Sequence, residues 1–261
     1  MRCAVVGHVE WVEFARVPRF PAAGTIVHVE EFWADPAGAG PVMARQLARL
    51  AGRCELFTVL GDDELGHRSE RRLAELGIDV HAEFRASTRR AWTHIDANGE
   101  RTITVIGDKL LPRAPLPLTG YDALYFVSGE PSALRAARAA RFVAATAREQ
   151  ATLRKAGVPL DLLVGSLNDA SEHYEGGVDA ANVVLTDGAN GCVANGERFP
   201  APASPGPVVD TYGAGDSFAA ALCFALARGD ALPDAIALAS RAGAAVITGR
   251  GPYSSQLTLD G

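Results

Sequence analysis

Asp210-Thr211-Tyr212-Gly213-Ala214-Gly215-Asp216, followed directly by Ser217-Phe218-Ala219-Ala220-Ala221-Leu222, is the stretch from which the rest of the chain can be read. Phe218, Ala221, Leu222, Ala225 and Leu226 recur at helical spacing, so a helix begins inside the heptad and runs over Ala214–Arg228. The first N–H groups of a helix have no intrahelical partners, and the helix dipole makes that end attractive to anions. Gly213, Ala214 and Gly215 put no bulk between those donors and a phosphate. Asp216 is the odd residue there, because a carboxylate beside a phosphate site repels the ligand. It makes sense if it faces a substrate hydroxyl and takes its proton as a phosphoryl group arrives. The plainer reading of the same residues is a glycine turn with Asp216 as an N-cap.

Three further stretches lie upstream: Gly61-Asp62-Asp63-Glu64-Leu65-Gly66, Gly99-Glu100-Arg101-Thr102, and Thr186-Asp187-Gly188-Ala189-Asn190-Gly191. Together with the heptad they resemble, in the same order, the GxDxxG turn, the GeRt lid hairpin, the TxGxxG nucleotide loop and the DTxGAGD segment of the ribokinase-like (PfkB) carbohydrate and nucleoside kinases. The resemblance runs from about Arg2 to about Gly251, nearly the whole chain. It implies a ribokinase-like α/β three-layer sandwich with a mainly parallel central sheet and a small β lid. It also implies ATP and Mg2+ as cofactors, and K+ or another monovalent cation beside the heptad.

The pattern along the chain agrees with such a fold. Apolar runs at Cys3–Val6, Leu56–Leu60, Ala123–Val127, Phe142–Ala145, Leu160–Val164 and Val183–Thr186 read as strands. Between them, Val42–Ala51, Glu64–Leu76, Ser132–Ala139, Arg148–Lys155 and Asp169–Tyr174 read as helices, and Pro233–Thr248 follows the heptad helix. Short apolar strands alternating with helices indicate a parallel sheet covered on both faces. Val9–Phe14 with Ile26–Phe32, and Arg90–Asp96 with Arg101–Ile106, lack intervening helices and are expected in the lid, within segments 8–35 and 88–108 of a single domain spanning 1–261. Asn98-Gly99 predicts a two-residue hairpin turn between the second pair, and Asn195-Gly196 predicts another hairpin. Exposed edges on so small a sheet favour pairing with a second copy, hence a homodimer through the lid.

Bulk composition sets limits. The chain has 261 residues, 48% apolar and 21% charged, enough for one large globular α/β domain. A formal charge of −6 without a basic run gives no support to nucleic-acid binding. Cys3, Cys54, Cys192 and Cys223 are far apart and match no zinc or disulfide spacing. No apolar run reaches membrane-spanning length, and the N-terminus reads as a strand, so a cytoplasmic enzyme with no membrane partner is expected.

Phosphoryl transfer needs an oriented hydroxyl, stabilised charge on the moving group and a metal on the nucleotide phosphates. Asp216 is the candidate base, and the N–H groups of Gly213, Ala214, Gly215 and Asp216 the candidate anion hole. Asp210 either helps hold the monovalent cation, by resemblance, or closes the loop as a hydrogen-bond acceptor. The nucleotide is expected along Thr186, Gly188 and Gly191. No Walker A sequence occurs, which excludes a P-loop ATPase at the level of motif.

The chain departs from the family pattern in three places. The metal-organising Asn-x-x-Glu falls on Ser166-Leu167-Asn168-Asp169, or, shifted, on Asn168 and Glu172; each pairs an oxygen ligand with a carboxylate. The sugar-binding Asp after the first strand is Val12, flanked by Glu10 and Glu13, of which Glu10 is the preferred acceptor contact. The GGxxxxN sugar loop reads Gly38-Ala39-Gly40-Pro41-Val42-Met43, keeping Gly38 and losing the Asn, with Gln46 one turn on as a replacement amide. Arg101 and Lys109 are the basic residues near acceptor or phosphate oxygens, although solvation is the default for Lys109.

The leading expectation is therefore an ATP-dependent kinase that phosphorylates a hydroxyl of a small sugar, nucleoside or related polyol. A ligand-binding or regulatory protein on a kinase scaffold is the alternative, since two acceptor contacts are altered. Gly38-Ala39-Gly40-Pro41-Val42-Met43-Ala44 also fits a dinucleotide fingerprint, but it does not directly follow the first strand, which argues against an NAD(P) enzyme.

Overall fold

The computed structural model describes residues 1–259. Its central sheet has nine strands: β1 (Cys3–Val6), β4 (Cys54–Leu60), β5 (Asp79–Phe84), β8 (Ala123–Phe126), β9 (Phe142–Thr146), β10 (Leu162–Ser166), β11 (Val183–Thr186), β12 (Cys192–Ala194) and β13 (Glu197–Phe199), in the order β13-β12-β11-β10-β9-β8-β1-β4-β5. The pairs from β5 to β11 are parallel; β12 and β13 close the far edge antiparallel. The middle strands are buried along their whole length because helices cover both faces, which is why their sequences are apolar runs rather than alternations.

On one face lie α1 (Ala39–Ala51), α2 (Glu64–Glu75), α5 (Ala214–Arg228) and α6 (Leu232–Val246), contributing Leu47, Leu73, Leu222 and Ile236 to one core. On the other, α3 (Pro131–Ala137) and α4 (Gln150–Ala156) bury Leu134 and Leu153 against Val6, Leu124 and Phe126. The result is the expected three-layer α/β sandwich.

A second sheet, at the position expected for the lid, comprises β2 (Glu10–Arg16), β3 (Glu31–Ala37), β6 (Arg90–Ile95) and β7 (Arg101–Ile106) in the order β3-β2-β6-β7. Its inner face buries Val12, Phe14, Ala91 and Ile95 against Tyr212 and Tyr253. Val12 thus serves packing where the family pattern has a polar sugar contact.

Three expectations are corrected, and one strand is new. Ile26–Phe32 is not the lid strand: Glu31–Ala37 is, with Arg16 opposite Glu31 and Glu10 opposite Ala37. Pro36 obscured it, and is tolerated because β3 is an edge strand. Asp169–Tyr174 holds a single 3-10 turn, Ala170–Glu172, rather than a helix. The Asn98-Gly99 turn is not the two-residue type, since only Gly99 takes a positive φ, +81°. There the Asp96 carboxylate accepts the N–H groups of Asn98 (2.8 Å) and Glu100 (2.9 Å) and shapes a longer loop. Strand β5, half-exposed and alternating, was not expected at all. By contrast, Asn195 and Gly196 have φ of +50° and +88°, as a primed hairpin turn requires. Among the described residues no helix is long and apolar enough to cross a membrane.

Candidate active site

Gly213, at φ +85°, makes the left-handed turn into α5. A Cβ on it would stand 3.0 Å from Val42 Cγ1 and 3.2 Å from Pro252 Cβ, so both dihedral and packing demand glycine. Gly215 differs: it is helical, exposed, and a Cβ there would meet nothing within 4 Å. Its missing side chain leaves open the space in front of the helix N-terminus. Among the described residues the N–H groups of Gly213, Gly215 and Asp216 have no protein acceptor, while that of Ala214 makes a long 3.4 Å bond to the Thr211 carbonyl. Ala214 is therefore the weakest of the four expected donors.

Asp216 sits half-buried in the first turn of α5. Burial pushes its carboxyl up to about 6, and the negative charge of Glu172 adds to that; Arg101 and Arg148 pull it down, and Glu10 contributes a smaller upward push. A carboxyl tuned toward neutrality is what a general base at physiological pH needs.

The loop before α5 is held from several directions. Asp210 is fully buried, and its two oxygens accept the N–H groups of Tyr212 and Gly251, each at 2.9 Å. Of the two roles open for Asp210, loop closure is the one these bonds perform. Burial raises its pKa against the pull of those two bonds. The Gly99 carbonyl at the lid tip accepts both the N–H and the hydroxyl of Thr211, at 3.0 Å each. Arg101, also on the lid, reaches Thr211 Oγ1 at 3.4 Å. The Tyr212 hydroxyl accepts the Gly38 N–H at 3.1 Å, joining the expected sugar loop to the anion loop.

On the acceptor side Glu10 and Gly38 come together: a Cβ on Gly38, at φ +89°, would lie 3.5 Å from Glu10 Cγ. Glu10 is buried and 2.7 Å from Arg89 Nε. Burial raises its pKa, with Arg89 and Lys109 opposing. Lys109 pairs with Glu149 at 2.9 Å rather than standing solvated.

Models of the pfkB family of carbohydrate kinases match residues 1–156 and 127–259. The chain belongs to that family. The kinase is 26% identical over 277 aligned positions to an aminoimidazole riboside kinase of Salmonella typhimurium, covering 85% of this chain and 86% of that one. Its fold is similar to that of a ribokinase from Thermotoga maritima (TM-score 0.79, 22% identity, 100% of this chain and 97% of the other). It is likewise similar to an Arabidopsis thaliana ribokinase solved with ribose and ATP (TM-score 0.77, 18%, 98% and 96%). A third similar fold is that of an adenosine kinase from Sinorhizobium meliloti (TM-score 0.78, 20%, 97% and 95%).

The remaining expected site residues fall into two groups. Thr186, Gly188 and Gly191 lie together at the end of β11, where Thr186 Oγ1 donates to the Gly165 carbonyl at 3.2 Å. Gly191 has a structural reason of its own: a Cβ would stand 2.0 Å from the Phe199 carbonyl oxygen and 2.6 Å from the Ala201 nitrogen. Gln46 is a correction. It is fully buried, its Nε2 donates to the Leu257 carbonyl at 2.9 Å and its Oε1 has no partner among the described residues, so the amide nitrogen is engaged by the C-terminal tail. One helical turn from position 43 the side chain points into the body of the protein rather than over the pocket.

The metal ledge is also rearranged. Ser166 Oγ accepts the N–H groups of Asn168 and Asp169 at 3.1 Å each, capping the turn after β10. Asp169 accepts from Ser171 through Oδ1 and from Arg148 at 2.7 Å through Oδ2; these bonds outweigh burial and lower its pKa. Glu172 Oε1 accepts from the same guanidinium at 2.7 Å. Arg148 thus bridges both carboxylates proposed by the two readings of the motif. No group of three or more His, Cys, Asp or Glu side chains converges among the described residues. The free Oε2 of Glu172 fits a role on the water shell of a magnesium ion carried by nucleotide phosphates, not a metal cage built by protein alone. Arg148 carried no sequence signal: it is a lone arginine after an apolar strand.

Proposed function

We propose that this kinase transfers the γ-phosphoryl group of ATP to a hydroxyl of a small sugar, nucleoside or related polyol. Asp216 is the base: its carboxylate takes the hydroxyl proton as the oxygen attacks phosphorus, and the bond to the leaving ADP oxygen breaks. The N–H groups of Gly213, Gly215 and Asp216 receive the equatorial phosphoryl oxygens, with Arg101 from the lid adding positive charge. Thr186, Gly188 and Gly191 border the nucleotide. Magnesium on the ATP phosphates would supply charge neutralisation, with Glu172 and Asp169 orienting its water shell, while Asp210, whose two oxygens are taken by the Tyr212 and Gly251 N–H groups, braces the loop. The observation that carries the reading is the half-buried carboxylate of Asp216 beside unpartnered N–H donors and open space at Gly215.

The lid leaves Phe32, Ile103, Val105 and Ile106 at least 42% exposed and strand β7 as an open edge. Pairing with the lid of a second copy covers such an edge, so we assign a homodimer to the working enzyme. The deciding experiment is an ATP-consumption screen against sugars and nucleosides, with product identified by mass. Acceptor-dependent transfer lost in Asp216→Asn is expected; no transfer to any acceptor, with retained ligand binding, would instead favour a regulatory protein on this scaffold. Sedimentation at working concentration tests the dimer separately.

A further inference from the structure

A monovalent cation is expected beside the heptad, and the groups around Asp210 do not fit one. Such an ion is held by oxygens that replace its water shell. Asp210 is fully buried, and its two oxygens accept the N–H groups of Tyr212 and Gly251 at 2.9 Å each. The positive ends of two peptide dipoles therefore point at the oxygens an ion would need. The neighbouring carbonyls are engaged as well. Val209 O accepts from Arg16 Nη2 at 3.2 Å, and Ile247 O accepts the N–H groups of Val209 at 2.8 Å and Asp210 at 3.3 Å. Val246 O accepts from Ser255 Oγ at 2.9 Å, and Ala245 O from Thr248 Oγ1 at 2.8 Å.

Fixed positive charge is already there. Arg16, at the end of β2, holds the carbonyl directly before Asp210, and its side chain is only 20% exposed. Its Nε stands 3.6 Å from Glu31 Oε2, and the other oxygen of Glu31 accepts from Arg250. The Arg250 guanidinium lies over Trp33, 4.7 Å from the ring centre, and the next residue is Gly251, whose N–H is one of the two on Asp210. Asp210 and Glu31 thus stand against Arg16 and Arg250, two negative charges against two positive. A further cation would leave that group with excess positive charge beside a carboxylate shut off from water. Of the cations acting on Asp210, Arg16 acts most strongly, ahead of Arg101.

We infer that Arg16, oriented by Glu31, takes the place of the monovalent cation, so that this kinase needs no potassium and Arg16 is a positioning residue for the loop before α5. The inference rests on the reading of that loop as the receiver of the phosphoryl group. A guanidinium tethered to β2 differs from an ion in two respects. Its planar fork fixes the direction of each donor, and it cannot dissociate. By holding Val209 O it sets the chain path four residues ahead of Gly213, where the unpartnered N–H groups begin. The order of those donors then does not vary with the salt in solution.

The test measures transfer kinetics, thermal unfolding and calorimetric titration of the full chain in potassium, sodium and tetramethylammonium chloride. Ionic strength is held at about 0.1 M so that screening is constant. Magnesium is in excess, and ATP is supplied as its Tris salt. Values of kcat should agree within about twofold in the three salts. An ion that binds the folded state raises Tm, so Tm should agree within about 1 °C, and potassium should give no saturable heat. Arg16→Met should lower kcat about tenfold or more, with both KM values within about threefold, and Arg16→Lys, which keeps the charge, should recover most of the loss. Saturable activation by potassium of about fivefold or more, or a Tm several degrees higher in potassium than in tetramethylammonium, overturns the inference. An unchanged kcat in a folded Arg16→Met overturns the role of Arg16. If that variant fails to fold, the three salts compared on the wild-type chain still decide the question. Transfer that requires potassium removes the inference and keeps the kinase; equal Tm and flat heats with no transfer in any salt keep it and remove the kinase.

Discussion

Asp216→Asn should make this protein more stable while making it inactive. The wild-type carboxyl is held at about 6 against an ordinary value of 3.8. Keeping it ionised in that setting costs about 3 kcal/mol at neutral pH, an upper bound because part of the group reaches water. The folded state binds the proton more tightly than the unfolded one, so between about pH 4 and 6 stability falls as pH rises, and above 6 the full penalty is present. An amide of the same shape carries no charge and escapes it. In a chain of this size each kcal/mol moves Tm by roughly 2–4 °C, so the variant should melt several degrees above wild type at pH 8. The gap should shrink to a small remainder as pH falls toward 4, where the folded carboxyl is protonated and the unfolded one roughly half so. Turnover should drop about 10²–10⁴-fold, and wild-type kcat/KM should rise through pH 6 to a plateau as the base ionises. Calorimetric scans at pH 4 and 8 and a pH–rate profile measure both sides. Equal Tm values at pH 8, or a flat acid limb, would refute a desolvated base at this position.

Three other outcomes are expected. Gly215→Val should fold normally, since its Cβ enters open space, yet lose transfer because the side chain occupies the phosphate approach; normal turnover in a steady-state assay would reduce the loop to a turn. Gln46→Leu should lower stability by about 1 kcal/mol in urea denaturation, through the unpaired Leu257 carbonyl, and leave acceptor KM unchanged; a raised KM would return Gln46 to the pocket. Activity should vanish in excess chelator, and at limiting magnesium Glu172→Ala should suffer more than Asp169→Ala, because Glu172 keeps a free oxygen and also acts on Asp216; the reverse ranking of apparent magnesium affinity would reassign the ledge.

The sequence made legible what depends on local chemistry. Apolar runs gave the central strands, and the small residues of the heptad gave the start of α5 to the residue. Asn195-Gly196 gave a turn because both positive φ values are intrinsic to those residue types. Asn98-Gly99 misled because a carboxylate two residues earlier competes for the same N–H groups. What stayed hidden depends on distant partners. Nothing local marks Arg148 as a bridge between Asp169 and Glu172, or Arg89 as the counter-ion of Glu10. Gly191 looked like a nucleotide glycine, and the backbone of Phe199–Ala201 already forbids it a side chain. Gln46 lay at the right helical interval for the pocket, but a tail far along the chain claimed its amide.

The carbonyl of Gly99 serves two donors of Thr211 at once, and so makes the lid tip and the anion loop a single latch. Lifting the lid strips the N–H and the hydroxyl of Thr211 together, five residues before the base. Under the proposed reaction, these two bonds would tie the segment leading to Asp216 to the tip of the small sheet, so that its closure and the bracing of the phosphoryl-receiving loop would go together.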